Sequence, residues 1–286
     1  MIEFKSTGVY FNAFDNIAEL SKYVTERPRK PGRNDESERE EKCGFYSSGF
    51  YGTKDFNEAI CLLKDGDLKL YESIKTEKKK INIEKIIGVN NQRLKYQNRL
   101  YGAVPNVPSY LKGLPINMIN AEKKTPANRV LNIMLNIRVS GGVEDEEIKK
   151  IGSKYLTIID ILEKNGYRCN LYSGCANCSC GVHSYMLVRI KTDKEPLNLK
   201  KICFTIANPS MQRRIKFKWM EVNDCQYDFT RDGYGGQDSE QSIKKNVDEI
   251  MKDNFIIWGY EDGNKAKPIE MIIEDLKEKY GIRIGD

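Results

Sequence analysis

Three thiols and the chain's single histidine fall within nine residues, in the run Cys175-Ala-Asn-Cys178-Ser-Cys180-Gly-Val-His183. Thiolate sulfur and imidazole nitrogen are donors that zinc prefers, and four of them complete a closed tetrahedral shell. The run lacks the two separated CxxC or HxxxH-type knuckles of familiar zinc modules, so one hairpin tip has to wrap the ion by itself. Cys169 and Cys203 are further donors if the fold brings either near. A reduced, metal-free loop is the competing reading. If zinc is bound by Cys175, Cys178, Cys180 and His183, its role is structural, because four protein ligands leave no open position.

An acidic loop offers different chemistry. Asp224, Asp228, Asp232 and Asp238 punctuate DCQYDFTRDGYGGQD, and carboxylates of this kind hold magnesium in metal-dependent enzymes. The spacing and closing glutamate of an EF-hand are missing, so a solvated polar loop is the plainer reading. Nucleophilic catalysis by a Ser-His-Asp or Cys-His system has to use His183, which has no nucleophile elbow beside it.

The third candidate is cationic. From Lys194 to Lys218 the chain has seven Lys or Arg and one acid, Glu195. In RRIKFKWMEV, Ile215, Phe217 and Trp219 alternate with Arg214, Lys216 and Lys218, which predicts a strand with one apolar and one cationic face. Lys200, Lys201, Arg213, Arg214, Lys216 and Lys218 are the candidates for contact with nucleic-acid phosphates. The alternative is a half-buried edge strand whose lysines discourage aggregation. No RNA-recognition, helix-turn-helix or phosphate-loop motif accompanies them.

The elements that position these groups follow from periodicity. Phe14, Ile17, Leu20 and Val24 form one stripe of a first helix. Residues 27–42, RPRKPGRNDESEREEK, are too polar to offset the entropy of ordering and predict a flexible loop. A short helix with Phe56, Ile60 and Leu63 inward is expected between a Thr53 cap and Gly66. A helix or helix pair should occupy 68–100, with Ile83, Ile86 or Ile87 and Leu94 on its stripe. The proline-rich run 102–120 predicts an ordered extended segment that buries Val104, Val107, Tyr110, Leu111, Met118 and Ile119.

The second half is more regular. Residues 129–139, RVLNIMLNIRV, are a continuous β-prone apolar run of the kind buried on both faces of a parallel sheet. A Ser140-Gly141-Gly142 turn follows, then a helix with Ile148, Ile151, Tyr155, Ile158 or Ile159 and Leu162 inward, acids in its first turn and Gly166 as its stop. YRCNLYS and SYMLVRIKT predict strands on either side of the cysteine loop, and Asn198 caps a helix ending near Pro209. Amphipathic helices near 239–252 and 268–280 should bracket a strand in FIIWGY.

Composition sets outer limits. A chain of 286 residues with 40% hydrophobic content can fill one large core or two smaller ones. The +6 charge is a small excess of 47 basic over 41 acidic residues, and by itself says little about a nucleic-acid partner. No apolar run is long enough to span a bilayer and the start, MIEFKSTGVYFNAF, lacks an export signal, so no membrane partner and a cytoplasmic site with reduced thiols are expected.

Three segments carry a resemblance. Gly52, Thr53, Phe56, Glu58 and Ala59 form one motif. Val107, Pro108, Tyr110, Leu111, Gly113, Pro115 and Met118 form the second, and Pro209, Met211, Arg213 and Arg214 the third. Over residues 50–222 the chain resembles an uncharacterised family of tailed-phage proteins; the resemblance implies a phage or prophage source and the host cytoplasm, but no activity. Residues 129–191 resemble more loosely the opening of a von Willebrand A-type domain. There an Asp-x-Ser-x-Ser loop holds a divalent ion, and the corresponding residues here are Asn136, Arg138 and Ser140. A guanidinium in place of a hydroxyl ligand repels a cation, so the resemblance implies a degenerate ion loop.

Together these readings predict an α/β fold with a central, mostly parallel sheet flanked by helices. A helical and extended region over 1–125 precedes it, and amphipathic helices close the α/β region of 126–286. The leading functional expectation is a binding or scaffold protein with a viral or host protein partner. Nucleic-acid binding through 194–218 and a metal-dependent enzyme built on 224–238 are the alternatives.

Overall fold

Residues 1–39, 49–80, 94–123, 129–259 and 268–282 are described by the computed structural model. In chain order the elements are β1 (Ile2–Ser6), β2 (Val9–Phe14), α1 (Ile17–Glu26), α2 (Phe56–Asp65) and α3 (Leu68–Lys80). Next come β3 (Leu94–Arg99), β4 (Val104–Pro105), α4 (Val107–Leu111) and β5 (Met118–Lys123). Then follow β6 (Val130–Asn136), α5 (Asp145–Lys164), β7 (Arg168–Ser179), β8 (Val182–Lys191) and α6 (Leu199–Ala207). A π-helical stretch, Met211–Lys216, runs directly into α7 (Phe217–Val222), and β9 (Gly236–Gln237), α8 (Glu240–Met251), β10 (Phe255–Trp258) and α9 (Ile269–Tyr280) complete the chain.

The main sheet runs β1-β2-β8-β7-β6-β10, with the short β9 added alongside β7. The β2–β8, β7–β6 and β6–β10 pairs are parallel, while β1–β2 and β7–β8 are antiparallel. The Ile133–Leu135 part of β6 is continuously apolar because both of its faces are covered. Ile133 and Leu135 enter one core, and Met134 enters the other. On the first face α5 buries Ile148, Ile151, Tyr155, Ile158, Ile159 and Leu162. It lies so close to α6 that a Cβ on Gly152 would sit 2.3 Å from the Ala207 Cβ. On the second face α8 lays Ile243 and Val247 over Met134, Tyr185, Phe255 and Ile257.

The α/β expectation, the α5 stripe, the Asn198 and Gly66 caps and both C-terminal helices hold. Six local expectations do not. The first 14 residues form a hairpin whose second strand pairs with β8, so the boundary drawn at residue 125 cuts across the main sheet. Within 27–39 the polar loop is docked rather than flexible. Arg33 donates to the carbonyls of Met220, Asn223 and Cys225, and Ser37 donates to Glu221 through both its amide and its hydroxyl; these partners supply the fixing energy that no apolar residue offered. The α2 cap is Asp55, which accepts from the Glu58 amide, while Thr53 receives the Ser210 hydroxyl.

Leu94 opens a strand, not a helix turn; Ile83, Ile86 and Ile87 lie outside the described residues. Finally, 211–222 is helical, and the 215/217/219 alternation is incidental to a segment buried all round. The proline-rich run is ordered, but as a β3-β5-β4 sheet with α4 between β4 and β5, and it does not bury Val104, Val107, Tyr110 or Leu111. Met118 and Ile119 are half-buried.

Candidate functional site

The cationic candidates divide by burial. Arg213, Arg214, Lys216 and Lys218 are buried, whereas Lys200 and Lys201 are exposed in the first turn of α6. Arg214 donates to the carbonyls of Ser37, Arg39, Thr53 and Lys54, and stacks over the Tyr51 ring. Arg213 donates to the carbonyls of Phe50 and Val143 and stacks over Phe50. Lys216 donates to the Asn177 amide oxygen, and burial followed by repulsion from Arg138 pushes its ammonium well below the ordinary lysine value. Lys218 pairs with Glu38. These four cations face carbonyls and side chains of their own chain, so no cationic strand face is presented to a phosphate backbone.

The acidic loop also disperses. Asp224 pairs with Arg27 and Lys30, which hold its carboxyl below the usual range. Asp228 caps the 3-10 turn Phe229–Asp232, and Asp232 accepts from Ser179 and Tyr227. Among the described residues these three do not gather at one point.

Asp238 goes elsewhere. Strands β7 and β8 are longer than the sequence suggested and reverse through Cys180 and Gly181 alone, both at positive φ (47° and 74°), as in a type I′ hairpin. The cysteine run is therefore mostly strand, and successive residues face opposite sides. Cys175 enters the first core, where burial pushes its thiol to about 11; Cys178 stands on the other face, opposite His183. Strand β9 pairs Gly236 with Cys178, which sets Asp238, the residue after β9, against this face.

Cys178, His183 and Asp238 then each present a donor atom, all within 4.8 Å of one another. Of the four metal candidates read from sequence, Cys178 and His183 come together; Cys175 and Cys180 are outside this group. Asp238 was missed as their partner because it is 55 residues from His183 and reaches it only through the two-residue β9 ladder.

The cluster is braced. His183 Nδ1 lies 2.8 Å from Asp238 Oδ2, and the same oxygen accepts from Tyr185 OH at 2.6 Å. Asn246 in turn donates to Tyr185 OH, the Ser239 amide donates to Asp238 Oδ1, and the imidazole stacks on the Tyr185 ring. Burial, and next the charge of Asp238, raise the Cys178 thiol. That is the reverse of the depressed value a thiolate nucleophile needs. Asp238 also lines a cleft of about 570 Å3 at the carboxyl ends of β6 and β10, walled by Asn136, Tyr155 and Trp258 and by Leu276 and Tyr280 of α9. Tyr155 stacks on Trp258 at 5.6 Å and donates to the Gly259 carbonyl.

A second feature lies on the β3-β5-β4 sheet, its connecting loops and α4. Tyr96, Leu100, Tyr101, Tyr110 and Leu111 are between 66% and 78% exposed, and Val104, Val107, Leu114 and Ile116 are about half exposed. Apolar groups at this density are unusual on a surface that meets only water.

A family profile described as a domain of unknown function, DUF7192, matches residues 3–284, both sheets included. The chain belongs to the DUF7192 family. No curated protein and no solved structure matches it. The DUF7192 match therefore spans both the braced cluster and the exposed apolar sheet. No helix among the described residues is long and apolar enough to cross a membrane.

Proposed function

We propose that this DUF7192 chain is a binding or scaffold protein that docks a protein partner through the apolar surface of residues 94–123. The observation that carries the reading is the exposure of Leu100 and Tyr101, which follow β3, and of Tyr110 and Leu111 in α4, within an ordered segment. Large aromatic and aliphatic side chains are the groups that anchor protein interfaces, and leaving them in water costs roughly 25 cal/mol for each Å2 of apolar area that a partner would cover. Aliphatic groups offer nothing to phosphates. A five-residue α4 is too short for an interfacial membrane helix. The motif resemblance adds a phage or prophage source and the host cytoplasm to the reading, and a genomic neighbourhood without phage genes would remove that addition.

A photoreactive residue placed at Tyr110 in the full chain, expressed in its source cell, tests the docking. One discrete crosslinked protein is expected, lost on Leu111→Ser and absent when the probe is at Lys200. Equal crosslinking from both probe positions, or none from Tyr110, would count against it.

A further inference from the structure

Cys178, His183 and Asp238 have the composition of a transition-metal site, and their surroundings are arranged to hold one. We propose that they bind a single Zn2+ through three protein ligands, leaving a fourth position for water or an exogenous ligand. This differs from a closed cage at the hairpin tip, because one ligand comes from the residue after β9, and Cys175 and Cys180 take no part.

Three observations support the site independently of the docking surface. The donor atoms converge within 4.8 Å, although they come from two strands and from the residue that follows a third. The donor set mixes thiolate, imidazole and carboxylate, which suits zinc and excludes magnesium or calcium, whose ligands are oxygens. The outer groups are also in place: Tyr185 and the Ser239 amide fix the two carboxylate oxygens, and Asn246 fixes Tyr185. Hydrogen-bonded orientation of this kind around a ligating carboxylate is what metal centres use.

Binding asks little movement. The 2.8 Å Nδ1 to Oδ2 separation has to open to about 3.3 Å, the distance between tetrahedral ligands at ordinary zinc bond lengths. The ion replaces the proton linking these two atoms. With His183 neutral, that proton is carried on Nε2 instead, Cys178 gives up its thiol proton, and one proton leaves to solvent per ion bound. Three protein ligands with an open position are the pattern of zinc centres that take up water or substrate.

The test is titration of the full chain, purified free of metal, with Zn2+ against a chromophoric chelator, and with Co2+ followed by absorption. One equivalent of each ion is expected, with the intense visible bands of tetrahedral Co2+ and a thiolate-to-cobalt charge-transfer band that vanishes in Cys178→Ser. Tyr185→Phe removes no ligand, only the outer hydrogen bonds to Asp238 and from Asn246, and should weaken binding roughly 10–100-fold. His183→Ala and Asp238→Asn should each weaken it by more, and Cys180→Ser should leave it unchanged. Asp238→Asn preserves shape and decides the matter if Cys178→Ser misfolds, which circular dichroism of the metal-free variants reports. No stoichiometric uptake by the folded wild type would overturn the proposal. So would uptake that survives Asp238→Asn, whether lost in Cys180→Ser as for a hairpin cage or unaffected by any substitution as for an adventitious ion.

Discussion

Between Met211 and Val222 the chain buries Arg213, Arg214, Lys216 and Lys218, whereas between Tyr96 and Ile116 it exposes nine large apolar side chains. Each stretch reverses what residue type alone would suggest, and the reasons differ. The buried cations find partners within the chain: Arg214 alone gathers four backbone carbonyls from two separate segments. A buried charge persists only with such partners. Among the described residues the exposed apolar groups have no such internal solution, because short strands and a five-residue helix have too little area to cover them. Burial follows available partners more closely than it follows hydropathy, and where a chain supplies none, the partner is to be sought outside it.

The largest test of this contrast is Arg214→Ala. Its removal orphans four carbonyls and frees the 37–39 and 53–54 segments, so stability should fall by about 3–5 kcal/mol, read from the urea midpoint. A loss below about 1 kcal/mol would mean that the guanidinium is not a clamp.

Lys216→Met should act through pH. In the fold Lys216 is neutral over a range where the unfolded chain protonates it, so the unfolded state binds more protons and stability rises with pH across that range. The slope is at most about 1.4 kcal/mol per pH unit, and the gain is complete only above the ordinary lysine value. Lys216→Met should abolish this rise between neutral and alkaline pH; an unchanged slope would assign it to another group. The smallest effect is expected at the exposed end of the same basic stretch. Lys200→Ala and Lys201→Ala should each shift stability by no more than about 0.5 kcal/mol, and a larger loss by denaturation would show a hidden structural role.

The sheet, α5 and the C-terminal helices were legible because each repeats its apolar residues at one period over a long window. The basic stretch was misread for a physical reason: Ile215, Phe217 and Trp219 alternate as in a strand, and a helix buried on all sides has no polar stripe to contradict that period. The docked 27–39 segment was illegible because its fixings are hydrogen bonds to residues almost 200 positions away. At the candidate metal site, Cys178 and His183 could be named from their residue types and their nearness in the sequence. Cys175 could not be separated from them until the strand extended through the run and alternation sent it to the other face. Asp238 depended on β9, and two residues are too few to carry a period.

Whether another protein completes the 94–123 surface is answered by one paired measurement. For the partner crosslinked at Tyr110, affinity and urea stability are measured together for wild type, Tyr110→Ser and Leu111→Ser. Each substitution should weaken binding by about 2 kcal/mol, roughly 30-fold, while stability stays within about 0.5 kcal/mol of wild type. Unchanged affinity, or a stability loss as large as the affinity loss, would contradict the claim, since the residues would then serve this chain's own fold rather than a partner.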